Sequence, residues 1–136
     1  DCFFALQSTG GTNSPWYFVF GISQNDSYAK AMWKSSTING SYEYPNVITA
    51  NVWQHVACSY DGSNVRIYVN GTLWYTQSVS ISGWQGSTSS SLSIGYDLTS
   101  NMGPFNGYLS DFRFTAGVAR YTGNSFTLPT EEYVSA

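Results

Sequence analysis

Charge is what this chain has least of. Charged side chains make up 10% of its 136 residues, and only five of them are Lys or Arg. That excludes nucleic acid as a partner, because a phosphate backbone needs clustered basic residues. It excludes an anionic membrane surface on the same ground. No run approaches the ~18 consecutive apolar residues of a membrane span. No long stretch carries an apolar period of ~3.6 residues either, so no long helix is expected. Histidine occurs once and cysteine twice, with no Cys/Cys or Cys/His pair at zinc spacing. Two cysteines in a domain of this size are not a disulfide framework. Cys2 (in CFFAL) and Cys58 (in HVACSY) both lie in apolar runs, where a free thiol packs as a small hydrophobe. A bond between them would require neighbouring strands. A secretory leader is also missing, and the first residue is Asp1 rather than Met. The chain is therefore expected to be processed or to be a segment of a larger protein.

Aromatic residues are plentiful, at 18%, alongside 13 glycines and many Ser, Thr and Asn. That profile belongs to an all-β protein of many short strands and long polar loops. The length suits a single domain, residues 1–136, with a core of its own. No internal repeat is visible.

The clearest local signal runs from 52 to 77, VWQHVACSYDGSNVRIYVNGTLWYTQ. Residues 52–60 form an apolar run, and Asp61-Gly62-Ser63-Asn64 reads as a turn. Val65, Ile67 and Val69 alternate with Arg66, Tyr68 and Asn70, the period of two of a half-buried strand. Asn70-Gly71 supplies the positive φ angles of a tight hairpin, and Leu73-Trp74-Tyr75 returns. Elsewhere, strands are expected over 1–6, 16–22, 28–34, 92–96 and 105–115. Residues 35–41 read as a turn region containing Asn39-Gly40, and 47–50 as a short extended piece. Residues 78–91 form a long Ser/Gly/Thr loop carrying Trp84, 97–104 form another loop, 117–121 form one helical turn, and the end from 125 onward is extended. Short strands separated by turn signals mean a sandwich or barrel.

Trp53-Gln54-His55-Val56-Ala57, then Asp61-Gly62, then Arg66-Ile67-Tyr68-Val69-Asn70-Gly71 resemble the signature of laminin-G-like, concanavalin A-like jelly-roll domains. Ile94-Gly95 and the block from Phe105 to Phe114 continue the likeness. The segment GVARYTG from Gly117, leading to Phe126-Thr127-Leu128-Pro129-Thr130, looks like the endings of such domains in phage and bacterial surface proteins. The resemblance implies a two-sheet antiparallel jelly-roll sandwich and a family of binders. It also implies that strands usually preceding the one at Cys2-Phe3-Phe4-Ala5-Leu6 are missing from this segment. Residues upstream of Asp1, or a neighbouring subunit, are then expected to complete the sheet beside Phe3 and Phe4, since a bare sheet edge is a liability.

The candidate chemistry is sparse. His55 sits among Trp53, Gln54 and Val56, and the resemblance makes it a hydrogen-bonded framework residue rather than a base. Glycoside hydrolysis needs two carboxylates across a cleft. Hydrolases of this fold place acidic residues at alternate positions of one strand, and no strand here has that pattern. Ser and Thr lack a nucleophile elbow, and no phosphate-binding glycine pattern occurs. Ser110-Asp111-Phe112-Arg113-Phe114 resembles the local pattern with which related jelly rolls hold a structural calcium through an Asp. Asp111 is thus the metal candidate, with pairing to Arg113 or capping of a turn as the other reading. Among the aromatics, Tyr17, Phe18, Phe20, Tyr60, Tyr68, Phe112 and Phe114 are assigned mainly to the core. Trp84, Tyr96, Tyr42 and Tyr44 lie in or beside polar loops, where flat rings and nearby hydroxyls suit sugar contacts. Packing over the sheet ends is the competing role. Three Asn-x-Ser/Thr acceptor patterns, at Asn25, Asn39 and Asn70, are expected by chance in so Ser- and Asn-rich a chain.

The expected function is a non-catalytic binding or adhesion module on a virion (tail, fibre or capsid) or cell surface, contacting glycans or other host-surface polymers. A purely structural decoration domain, contacting only neighbouring segments or subunits of its own assembly, is the first alternative. A glycan hydrolase relative with its active site elsewhere in a longer chain is the second. No cofactor is expected apart from the calcium reading at Asp111.

Overall fold

The computed structural model describes residues 2–8, 17–22, 29–34, 39–44, 47–79, 90–96 and 103–131. Among them are eight strands and no helix: β1 (Cys2–Ser8), β2 (Tyr17–Ile22), β3 (Ala29–Lys34), β4 (Asn39–Tyr44), β5 (Val56–Tyr60), β6 (Asn64–Val69), β7 (Thr72–Ser78) and β8 (Ser90–Ile94). They form two antiparallel sheets, one of five strands in the order β4-β3-β2-β1-β8 and one of three in the order β5-β6-β7. The chain divides into two compact units, 1–50 with 81–106 and 51–80 with 107–136, and each sheet belongs to one of them.

In the five-stranded sheet, β1 is interior. It pairs with β2 (Leu6 opposite Phe18, Ala5 opposite Val19) and with β8 (Phe4 opposite Ile94, Leu6 opposite Leu92). The expectation that other residues must complete the sheet beside Phe3 and Phe4 is thus corrected. β8 occupies that side, and the Gly95 amide donates to the Phe3 carbonyl at 2.8 Å. Cys2, Ala5 and Val19 form a buried cluster on one face. A register shift between Cys2 and Phe4 turns the Phe3 ring edge-on to Phe20 (5.5 Å) and to Phe105 (5.2 Å). Such T-shaped pairs add ~0.5–1.5 kcal/mol each beyond the apolar area they bury. Phe105 is held there by its amide, which donates to the Gly95 carbonyl.

In the three-stranded sheet, β6 is the centre. Val65, Ile67 and Val69 are buried, as their period of two requires. Tyr68 points to the opposite face and is fully buried as well, so this strand is covered on both faces instead of one. The Asn70-Gly71 turn has the expected geometry, with φ of +50 and +77° and Val69 paired directly to Thr72.

Several sequence-based expectations differ from the structure. The first strand of the meander begins at Val56, because Asn51 (φ +61°) turns the backbone and the His55 amide bonds the Asn70 side chain instead of a ladder. Of the turn region expected at 35–41, residues 39–41 instead belong to a strand, β4, paired along its length with β3; cross-strand pairing overrides the local turn signal of Asn39-Gly40. The last strand of its sheet runs from Ser90 to Ile94, two residues earlier than expected at each end. Residues 106–115 form no ladder, and 117–121 form no helical turn. Asp111 has φ +52° and Gly117 has φ +81°. A left-handed residue breaks the pleat of a strand and cannot continue a right-handed helix. Of the expected loop at 8–15, Ser8 belongs to β1 and the rest lies outside the described residues, as do most of 78–91 and 97–104.

Candidate functional site

The region around the Asn70-Gly71 turn is built from five segments of one unit. Asn70 does two jobs. It supplies a positive φ, and its Oδ1 accepts from the His55 amide at 3.0 Å, while its own amide donates to the His55 carbonyl at 2.8 Å. That clamp ties the chain entering β5 to the β6–β7 turn. The segment after Gly123 then lies along the start of β7. The Leu73 amide donates to Asn124 O, the Phe126 amide donates to Gly71 O, and Thr72 bridges Ser125 in antiparallel sense. Phe126 stacks on Tyr121 at 3.7 Å between ring centroids and meets Tyr68 and His55 edge-on at 5.4 Å each. The Tyr68 hydroxyl donates to Gly123 O at 2.8 Å. His55 is therefore a framework residue whose ring is packed in an aromatic cluster. Burial lowers its pKa from the ordinary imidazole value.

Asp61 closes the β5–β6 turn. One carboxylate oxygen accepts from the Ser63 and Asn64 amides at 2.9 and 2.7 Å, and the other pairs with the Arg66 guanidinium. The Arg66 bond, followed by the two amides, holds the Asp61 carboxyl well below the usual carboxylate range. A carboxylate committed in this way supplies neither a general acid nor a metal ligand. Cys2 and Cys58 are not bonded to each other and belong to different sheets. Part of the Cys58 residue reaches solvent, but its thiol is desolvated and pushed up to about 12, against a weaker lowering by the Ser59 amide. It is not a thiolate nucleophile at neutral pH.

The aromatics expected to bind ligand are placed by the structure only in part. Trp84 lies outside the described residues. Tyr42 and Tyr44 are on strand β4, opposite Ala31 and Ala29, and not in a loop. Tyr96 is 45% exposed just after β8, with its carbonyl accepting from Ser93 Oγ at 2.7 Å. β4 and β8 are opposite edges of one sheet. Four inter-strand steps of ~4.8 Å separate their backbones by ~19 Å. Asp111 is exposed at φ +52°. Among the described residues no three His, Cys, Asp or Glu side chains gather as a metal site.

The core assignment holds for Phe20 and Tyr68 but not for Phe112 and Phe114, which are 39% and 48% exposed because 105–115 is not a pleated strand. Sequence reasoning passed over Trp53 and Trp74, both exposed. The signal for Trp74 was present: in Thr72-x-Trp74-x-Thr76-x-Ser78, every residue of one parity is polar or amphipathic.

Residues 1–119 match the laminin-G family described as the concanavalin A-like lectin/glucanases superfamily. The chain belongs to that family. No curated protein matches it, and no solved structure does. Membership, with an all-β build of antiparallel sheets, defines a carbohydrate-binding or adhesion-type module of a class that is typically non-catalytic.

Proposed function

We propose that this chain is a non-catalytic glycan-binding module displayed on a virion or cell surface. Membership of a lectin and glucanase superfamily over residues 1–119 carries the reading. Two features of the site support it. The only imidazole is committed to an aromatic cluster, and the Asp61 carboxylate is committed to a turn and to Arg66. Glycoside hydrolysis asks for two carboxylates free to exchange protons across a cleft.

The test is a glycan array probed with the chain, followed by a reducing-end assay on every glycan retained. Retention without new reducing ends is the expected result. Release of reducing ends would make the chain a hydrolase. Failure to retain any glycan would reject the binding reading in favour of a domain that contacts only its own assembly.

A further inference from the structure

The dipeptide Asn-Gly occurs three times in this chain, at Asn39-Gly40, Asn70-Gly71 and Asn106-Gly107. Glycine carries no Cβ to hinder its own amide nitrogen, and it leaves the backbone free to turn. That nitrogen can then reach the side-chain carbonyl carbon of the asparagine before it. The reaction needs an unbonded glycine amide, an asparagine side chain able to rotate and a backbone able to swing. The fold grants these very unequally to the three copies.

Asn39-Gly40 opens β4. Both residues are paired with β3, opposite Lys34 and Trp33, and ring closure would turn the backbone out of that ladder. Asn70-Gly71 is held harder. Asn70 Oδ1 accepts from the His55 amide, and the Asn70 amide donates to the His55 carbonyl. Gly71 is buried, and its carbonyl accepts from the Phe126 amide. Asn106-Gly107 has none of this. Phe105 before it is anchored, its amide donating to the Gly95 carbonyl and its ring set edge-on to Phe3. The anchoring stops there. Asn106 and Gly107 are both exposed and belong to no strand, and no hydrogen bond to another described residue holds either of them. Residues 108–111 are exposed as well.

We infer that Asn106 is a site of intramolecular deamidation and isoaspartate formation, and that the fold spares Asn39 and Asn70. The Gly107 nitrogen gives up its proton and attacks Cγ of Asn106. The Cγ–Nδ2 bond breaks, and Nδ2 leaves with that proton as ammonia. Water then opens the resulting succinimide. Addition at Cγ breaks the new bond to nitrogen and leaves an ordinary aspartyl residue at 106. Addition at the backbone carbonyl carbon breaks its bond to the Gly107 nitrogen instead, and the chain then runs through the side-chain carbon as an isoaspartyl link. Either product adds a negative charge to a chain whose formal net charge is already −3. The inference is independent of the glycan-binding reading.

The test uses the whole chain in hydroxylamine, which opens a succinimide and cuts the chain at that bond. At mildly alkaline pH the native chain should be cut into 1–106 and 107–136, and in denaturant it should also be cut after Asn39 and Asn70. Reaction at a held site waits on local opening, so the native rate at Asn106 should exceed those at Asn39 and Asn70 by roughly tenfold or more, each rate taken relative to its value in denaturant. Asn106→Gln should abolish the native cut. A second readout needs neither variant nor hydroxylamine: on incubation in buffer alone, the mass gain of deamidation should collect in the peptide containing 106, as two chromatographically separable isomers. Native cutting after Asn39 or Asn70 at the relative rate of Asn106, or cutting at Asn106 only in denaturant, would overturn the assignment.

Discussion

Replacing Gly71 by Ala tests whether the segment after Gly123 is an integral part of the hairpin. Gly71 has φ +77°, and a Cβ there would stand 2.5 Å from the carbonyl oxygen of Phe126 and 3.5 Å from the Leu128 side chain. The obstruction is backbone, so a rotamer change cannot relieve it. Gly62, at φ +95° in the Asp61 turn, has nothing within 4 Å of such a Cβ and serves as the control. At both positions alanine meets the left-handed penalty, ~1–2 kcal/mol. At Gly71 the 124–126 segment must also move. That breaks the bond from the Phe126 amide to Gly71 O, ~0.5–1.5 kcal/mol, and disturbs the Phe126–Tyr121 stack, ~0.5–1.5 kcal/mol. Gly71→Ala should therefore cost roughly 2–5 kcal/mol, and exceed Gly62→Ala by ~1–3 kcal/mol. Urea unfolding with matched m-values reads the difference as a shift in midpoint. Phe126→Ala, combined with Gly71→Ala, should cost less than the sum of the two singles, because both act on the same segment. Equal losses at Gly62 and Gly71, with additivity in the double variant, would show that the terminal segment does not bear on the turn.

Asp61→Ala should lower Tm at neutral pH by removing the Arg66 pair and two amide acceptors. The folded carboxyl titrates below its unfolded value of ~3.9, so its contribution is complete above that pH and declines as pH falls through the folded value. The gap in Tm between wild type and variant should narrow on acidification below about pH 4, and a constant gap would sink the ion-pair account. His55 is a base with a lowered folded pKa, so the unfolded state binds the proton first and stability falls as pH drops below about 6.5. His55→Phe should flatten the Tm profile over that window, and His55→Ala should cost roughly 0.5–1.5 kcal/mol from the lost edge contact with Phe126. Cys2 is fully buried and the Cys58 thiol is raised to about 12, so a chromogenic disulfide reagent at mildly alkaline pH should label neither in the native chain and both in denaturant. Prompt native labelling of either thiol would contradict the burial.

The turn at Asn70-Gly71 and the buried row Val65, Ile67 and Val69 could be read from sequence because both are local. Positive φ at two consecutive residues demands Asn-Gly, and a period of two needs only one strand to express it. The Asp61 turn was legible for the same reason, since its acceptors serve amides two and three residues away. The family likeness of residues 52–71 was carried by the same stretch. What lay beyond the sequence was every feature set by partners far along the chain. Residues 39–41 look like part of a turn until β3 offers a ladder, and β1 looks as if it needs an outside neighbour until β8 returns to it across some ninety residues. Tyr68 gave no sign that its own face would be covered, because Tyr121, Phe126 and the Gly123 carbonyl reach it from 53, 58 and 55 residues downstream. Trp74 stood in plain view in an alternating strand, but the skip of the ladder at its position is a property of the β6–β7 register and not of either strand alone. Backbone preference and side-chain period act over a few residues, and they settled the turns and the faces of single strands. Hydrogen-bond pairing and burial join residues without regard to sequence distance, so only the folded chain could decide which strands are neighbours and which aromatic rings are covered.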